Sequence, residues 1–317
     1  MNTDPNKHSG AALVSVIVVM LILSALLMSA SNILNSRLNL ADESLNALEQ
    51  RVAITSHINY IGYILSTQRD TLVGISEGTD PRGAERVDVD WKYQIIGDEI
   101  RADGFHNKLE VETLTYSLQD VNGLIAINTN NNFWKSRWLD ALDVSGIDQR
   151  KMLDALADYS DPDDRNLPAG AESADYEASN LTPPTNYLLQ TCTELYSVIR
   201  WQAFVEQNNS ILEQCSLGRR PVLNINAVPE PLLILLWPRY SESIMNARAS
   251  GSWFSNQYTA SSLVPEFAKI QDDFISFIPS NRFKLSYYKN NTPIVSLYLE
   301  RGSGAERPVS FYSAPAL

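Results

Sequence analysis

The chain has 317 residues, a formal net charge of -12 and 44% hydrophobic residues, with a pI near 4.7. An acidic surface repels phosphate, which argues against nucleic acid as a partner and against lying flat on anionic lipid. The apolar content and length support one large domain or two small ones, with no low-complexity segment and no repeat at solenoid period.

The first element is "AALVSVIVVMLILSALLMSA", Ala11 to Ala30, which contains no charge, proline or glycine. Its polar positions are Ser15, Ser24 and Ser29, whose hydroxyls can bond back to helix carbonyls. Twenty helical residues span about 30 Å, the thickness of a bilayer's hydrocarbon core. Gly10 precedes this run, behind Lys7 and His8, and nothing basic follows until Arg37. The expectation is one spanning helix, N-terminus cytoplasmic and bulk outside. From Ala11 to Gln68 there is no proline and only Gly62 as glycine, and apolar residues recur at Leu34, Leu38, Leu45, Leu48 and Val52. This predicts one helix of nearly sixty residues, about 85 Å long, apolar all round at first and amphipathic after.

"TLVGISEGTDPRGAERVD" from Thr71 reads as a linker or long loop. "VDVDWKYQIIGDEIRADG" alternates with period two around a Gly-Asp turn, a hairpin pattern, and "KLEVETLTYSLQD" is a further strand. A helical block follows, with helices predicted in "FWKSRWLDALDV", "DQRKMLDALADYS", "YLLQTCTELYSVIRW" and "PEPLLILLWPRYSESIMNARA". Strands return in "RFKLSYYKNNTPIVSLYLERG", a hairpin about "KNNT", and in "ERPVSFYS". The fold class expected is α+β: a long N-terminal helix packed on an antiparallel sheet, with a large all-helical insertion. In segments, this is a leader 1–10, a spanning part 11–30, an amphipathic part 31–70, a body from 71–119 and 280–317, and an inserted helical domain 120–279.

No phosphate loop, HExxH, CxxC or GxSxG occurs, and the histidines are His8, His57 and His106. The expectation is no enzyme and no catalytic residue. The acidic loop "DYSDPDDRNLPAGAESADYE" sets Asp158, Asp161, Asp163, Asp164, Glu172, Asp175 and Glu177 within twenty residues. Hard oxygen ligands on a flexible loop suit Ca2+, although the spacing is not that of an EF-hand. Mg2+ for phosphoryl hydrolysis and a merely solvated acidic loop are the alternatives. Two stretches resemble each other, "VNGLIAINT" at Val121 to Thr129 and "PVLNINAVPEPLL" from Pro221. Each is an apolar-Asn turn leading towards a helix, with Thr129 or an Asn side chain available as a cap and Pro229 suited to a first helical turn. Cys192 and Cys215 are the two cysteines. Export would favour a disulfide, with two separate buried thiols as the alternative.

Three features together resemble the type II secretion minor pseudopilin K family. They are the leader ending in Gly10 before an apolar helix, the stretch "LQDVNGLIAINTNN…LDALADYSDPDD…GAESADYEASN", and "VLNINAVPEPLL". The resemblance implies cleavage by a prepilin peptidase between Gly10 and Ala11, with Ala11 methylated. It implies calcium at Asp158, Asp161, Asp163, Asp164, Glu172 and Asp175, and a disulfide between Cys192 and Cys215. Most pilins carry a glutamate at mature position five; here that position is Ser15, as the resemblance implies for a tip subunit with no neighbour above it. The expected role is a single-pass inner-membrane subunit, its bulk periplasmic, that joins the H, I and J minor pseudopilins to start or cap the pseudopilus. The rivals are a minor pilin of a type IV pilus, a membrane-anchored metal-dependent hydrolase using the acidic loop, and a signal-anchored periplasmic binding module.

Overall fold

The computed structural model describes residues 9–78, 95, 97–109, 113–302 and 308–313; side chains are described from residue 13 on, Ser313 excepted. Helix α1, Ser9–Thr67, is one element of 59 residues. The chain divides into two units within it, Met1–His57 and Ile58–Leu317. In the first unit the apolar side chains are exposed, from Leu13 through Leu27 to Leu40 and Leu48. One helix among the described residues, Leu13–Thr67 by side-chain composition, is long and apolar enough to cross a membrane. The second unit holds the last turns of α1, a sheet and a block of helices.

Strands β1 (Gly74–Ser76) and β2 (Glu99–Arg101) pair antiparallel. The main sheet contains β3 (Asp103–Lys108) and β4 (Leu114–Asp120), then, after the helical block, β9 (Arg282–Lys289), β10 (Thr292–Arg301) and β11 (Val309–Ser313). Its order is β11-β10-β9-β4-β3, antiparallel throughout. Between β4 and β9 lie the short strands β5 (Ile125–Ala126), β6 (Cys215–Ser216), β7 (Leu223–Asn224) and β8 (Ile275–Ser276), and helices α2 (Phe133–Ala141), α3 (Gly146–Ser160), α4 (Ser173–Ala178), α5 (Gln202–Gln207), α6 (Ile211–Gln214), α7 (Glu230–Leu236), α8 (Ser241–Ala249) and α9 (Gln257–Leu263).

Residues opposite one another across strands share a face, which sorts the main sheet into two unlike sides. Leu118 opposes Leu285, which opposes Leu297; Tyr116 opposes Tyr287; Phe283 opposes Leu299, which opposes Phe311. This apolar side meets α1. A Cβ added at Gly62 would stand 2.6 Å from Phe311 Cζ, so the one glycine of the helix lets β11 approach. Ile61, Ile64 and Leu65 around it are buried. The other side carries Ser117, Gln119, Lys284, Ser286 and Ser296.

The helical block has its own core, in which Trp138, Trp201, Trp237, Tyr176 and Phe267 are fully buried. Three of its indoles donate inward: Trp134 to Phe274 O at 2.7 Å, Trp138 to Gln214 Oε1 at 2.8 Å and Trp201 to Met152 O at 2.8 Å. Two parallel strand pairs, β5 with β6 and β7 with β8, tie distant parts of the block together.

Three sequence expectations change. The linker reading of residues 71–88 gives way at Gly74–Ser76 to a fully buried strand; a Cβ at Gly74 would lie 2.1 Å from Ile100 O, so only glycine permits this pairing. "YLLQTCTELYSVIRW" is not an α-helix but carries a short 3-10 turn, Cys192–Ser197. The Glu194 carboxylate accepts from Gln190 and Thr191 N at 2.7 and 2.8 Å, and Arg200 turns the chain with φ +72°, so local bonds displace the helical ladder. "PEPLLILLWPRYSESIMNARA" is two helices, α7 and α8, split where Pro238 cannot donate a helix hydrogen bond. The first strand of the expected hairpin at residues 87–94 lies outside the described residues.

Candidate metal centre

The acidic stretch starts at Asp158 in the last turn of α3, runs on as a loop after Ser160 and re-enters structure at α4. Its first carboxylate points inward. Asp158 is fully buried and accepts from Leu167 N at 3.2 and 3.1 Å. A Cβ at Gly170 would stand 1.8 Å from Asp158 Oδ2, so the loop closes over this carboxylate only because residue 170 has no side chain. Arg200 fastens the same segment by donating to Lys151 O at 3.1 Å and to Ala169 O. Ile199 N donates to Tyr176 Oη at 2.9 Å.

The remaining acids fall into two groups. Glu172 is only 4% exposed, makes no cap bond to α4, and neither carboxylate oxygen has a hydrogen-bond partner. Its carboxyl is pushed up to about 7, first by burial and then by the charges of Asp158, Asp161, Asp164 and Asp163. Asp161 Oδ1 is likewise buried without a partner, and burial followed by Asp163's charge raises that carboxyl. Asp158 is also raised, burial outweighing its backbone donors. By contrast, Asp163 accepts from Arg165 N at 3.0 Å and Asp164 from Asn186 Nδ2 at 2.9 Å, both on the exposed loop. Asp175 accepts from Glu172 N at 3.1 Å and Asn166 Nδ2 at 2.8 Å, which holds its carboxyl below the usual range.

Asp158, Asp161 and Glu172 are thus the acids with buried carboxylate oxygens, near enough to raise one another, while Asp175 is committed to capping α4. Among the described residues no three acidic, histidine or cysteine side chains converge into a finished cage. What fits a hard cation is the chemistry: orphaned carboxylate oxygens at Glu172 and Asp161 that repel one another. Beside the loop opens a cavity of about 530 Å3 lined in part by Asp154, Asp161, Asn128 and Lys135. Lys135 is buried, donates to Thr129 O at 2.6 Å, and is pushed down to about 8 by burial. Sequence reading missed Asp154, Lys135, Gly170 and Arg200; only the glycine beside an acidic run carried a local signal.

Gly10 and Ala11 stand at the start of α1, and residues 1–8 of the leader lie outside the described residues. Cys192 and Cys215 form a disulfide with Cα atoms 6.2 Å apart, at the point where β6 pairs with β5. The two look-alike turns face each other. Asp120 accepts from Asn122 N at 3.1 Å, Asn224 accepts from Asn226 N at 3.2 Å, and the Asn224 amide donates to Asp120 Oδ2 at 2.8 Å. A Cβ at Gly123 would lie 2.2 Å from Ala227 O.

Residues 111–207, from the approach to β4 through the acidic loop to α5, match the family model of the type II secretion system (T2SS), protein K. That match covers 97 of the 317 residues, under a third of the chain. The fold of this chain resembles that in the crystal structure of the GspK-GspI-GspJ complex from enterotoxigenic Escherichia coli Type 2 Secretion System, with a TM-score of 0.52 at 16% identity over 86% of this chain and 99% of that one. At that identity the likeness speaks for the fold. No curated protein matches the sequence. The family match takes in all six acidic candidates and Cys192, while Cys215 and the second turn at Asn224 lie beyond it.

Proposed function

We propose that this chain is a minor pseudopilin of the type II secretion protein K family, a structural subunit rather than an enzyme, that starts or caps the type II secretion pseudopilus. The observation that carries the reading is the protein K match in a chain whose N-terminal helix is long, apolar and exposed. An exposed apolar helix partitions into lipid or into the core of a helical fibre, because both remove its side chains from water. On this reading Ala11 to Ala30 holds the subunit in the inner membrane, N-terminus cytoplasmic and body periplasmic. The uncharged Ser15 suits a position at the tip, where no subunit above supplies a partner for a buried carboxylate. The I and J partners named for the similar structure, together with an H-type subunit, are the proposed neighbours.

Processing supplies the test. With prepilin peptidase co-expressed, intact-mass and N-terminal peptide analysis of the full chain is expected to find N-methylated Ala11; without it, Met1 is retained. Cleavage after the apolar run, or normal processing when Gly10 is replaced, contradicts the reading.

Calcium is the proposed ligand of the acidic loop, held by Asp158, Asp161 and Glu172 with backbone carbonyls, and with Asp163 and Asp164 from the loop. Its chemistry there is charge neutralisation. At 100 times its dissociation constant, a ligand bound only to the folded state adds about 2.7 kcal/mol, which for a body of this size raises Tm by roughly 5–10 °C. Glu172→Gln is expected to raise Tm in EDTA, since it removes a repelled buried charge, and to erase most of the calcium increment. A calcium increment equal to wild type in Glu172→Gln excludes Glu172 as a ligand.

A further inference from the structure

Buried serines on the side of the sheet opposite α1 mark a second site. His106 of β3 opposes Ser117 of β4, Ser117 opposes Ser286 of β9, and Ser286 opposes Ser296 of β10. This makes one polar row across four strands. In the next row Gln119 opposes Lys284. Ser117 and Ser286 are 4% exposed and Gln119 6%, yet they are not packed tight. A cavity of about 180 Å3 lies over them, closed on the far side by Ser210, Glu213 and Gln214 beside and within α6.

The groups around this cavity mix donors and acceptors with spare capacity. Ser117 Oγ lies 3.2 Å from Tyr288 Oη, and Ser286 Oγ 2.9 Å from Ser296 Oγ; each hydroxyl can make further bonds. Gln119 donates its amide to Asp120 O and Ala227 O, both at 2.8 Å, while its Oε1 is buried with no partner. A buried acceptor left open in a native fold calls for an occupant. Lys284 and Glu213 both line the space and attract each other, so the site carries no net charge for an anion or a cation. At the rim, His106 stacks on Tyr288 with ring centroids 4.3 Å apart, an aromatic platform beside a hydroxyl-lined floor. The volume falls below the roughly 300 Å3 at which drug-sized ligand pockets begin, so it admits a single ring.

We infer that this cleft binds a neutral saccharide, taking one pyranose ring, with its hydroxyls on the Ser117–Ser286–Ser296 row and Gln119 Oε1 and its C–H face towards the His106–Tyr288 stack.

The test is saturation-transfer NMR on the full chain in nanodiscs of sugar-free lipid, with methyl β-glucoside and methyl N-acetyl-β-glucosaminide as probes and sorbitol as an open-chain control. The expected result is transfer to the ring C–H protons of at least one glycoside, with a Kd about millimolar. Ser296→Leu, which fills the cleft from a half-buried position, removes the transfer. His106→Ala, on an exposed side chain, weakens binding roughly three- to tenfold with unchanged near-UV circular dichroism. Absence of transfer from both glycosides, equal transfer from sorbitol, or transfer unchanged in His106→Ala overturns the assignment.

Discussion

Gly170→Ala lowers the unfolding free energy of the calcium-free chain by about 3 kcal/mol. The added methyl would stand 1.8 Å from Asp158 Oδ2 and 2.6 Å from its Cγ, and the obstacle is not the free end of a long side chain. Asp158 is short, fully buried and bonded to Leu167 N, so its carboxylate has nowhere to swing without giving up that donor. Either the loop lifts off α3, breaking the Ala169 N bond to Asp154 Oδ2 at 3.2 Å, or Asp158 moves into apolar packing. Urea denaturation with the disulfide intact reads the loss as a shift in midpoint at unchanged slope. Combining Gly170→Ala with Asp158→Ala removes both partners of the clash, so the pair is expected to lose clearly less than the sum of the two single changes. Strict additivity contradicts the clash.

Asp120→Ala is expected to be as severe or worse, about 3–5 kcal/mol. Asp120 is fully buried at the end of β4 and accepts four hydrogen bonds: from Asn122 N at 3.1 Å, from Asn224 Nδ2 at 2.8 Å, from Ser280 N at 3.1 Å and from Ser280 Oγ. Through these it joins the sheet, both look-alike turns and the segment entering β9. Truncation leaves the buried Asn224 amide and the half-buried donors of Asn122 and Ser280 without this acceptor. Asp120→Asn keeps the shape but turns an amide towards donors, and its loss is intermediate.

The charge itself is a liability here. Burial raises the Asp120 carboxyl above its ordinary 3.8, outweighing the donors that lower it. The folded state therefore holds this proton more tightly than the unfolded chain. This contribution to stability is complete below about pH 4 and declines as pH rises through the raised value. The difference in stability between wild type and Asp120→Asn is expected to narrow with rising pH over that range. A difference independent of pH would show that Asp120 titrates alike in both states.

The parts of the fold governed by local rules were legible in the sequence. The long helix followed from fifty-eight residues without proline and with one glycine, and that glycine turned out to be where Phe311 meets the helix. The "KNNT" hairpin followed from turn chemistry, since Asn290 and Asn291 adopt φ +50° and +64°, values asparagine tolerates better than most residues. What was not legible depends on contacts between distant residues. The likeness of the two Asn turns could be read, but not that Asn224 would reach back 104 positions to Asp120. The acidic loop could be located, but its charges could not be sorted, because only packing separates Glu172, buried and unbonded, from Asp175, exposed and bonded. The segment at Cys192 had helical spacing, and the Glu194 cap and the left-handed Arg200 overrode it.

As proposed, this chain is a pseudopilus subunit of type II secretion. The most direct test is assembly of the full chain, processed and in nanodiscs, with the I- and J-type minor pseudopilins of its own organism, followed by size-exclusion chromatography with light scattering. The expected result is a stable ternary complex with one copy of each chain, and none when the J-type subunit is replaced by a minor pilin from a type IV pilus. Elution of this chain alone, at the mass of a single subunit, in the presence of both partners would contradict it.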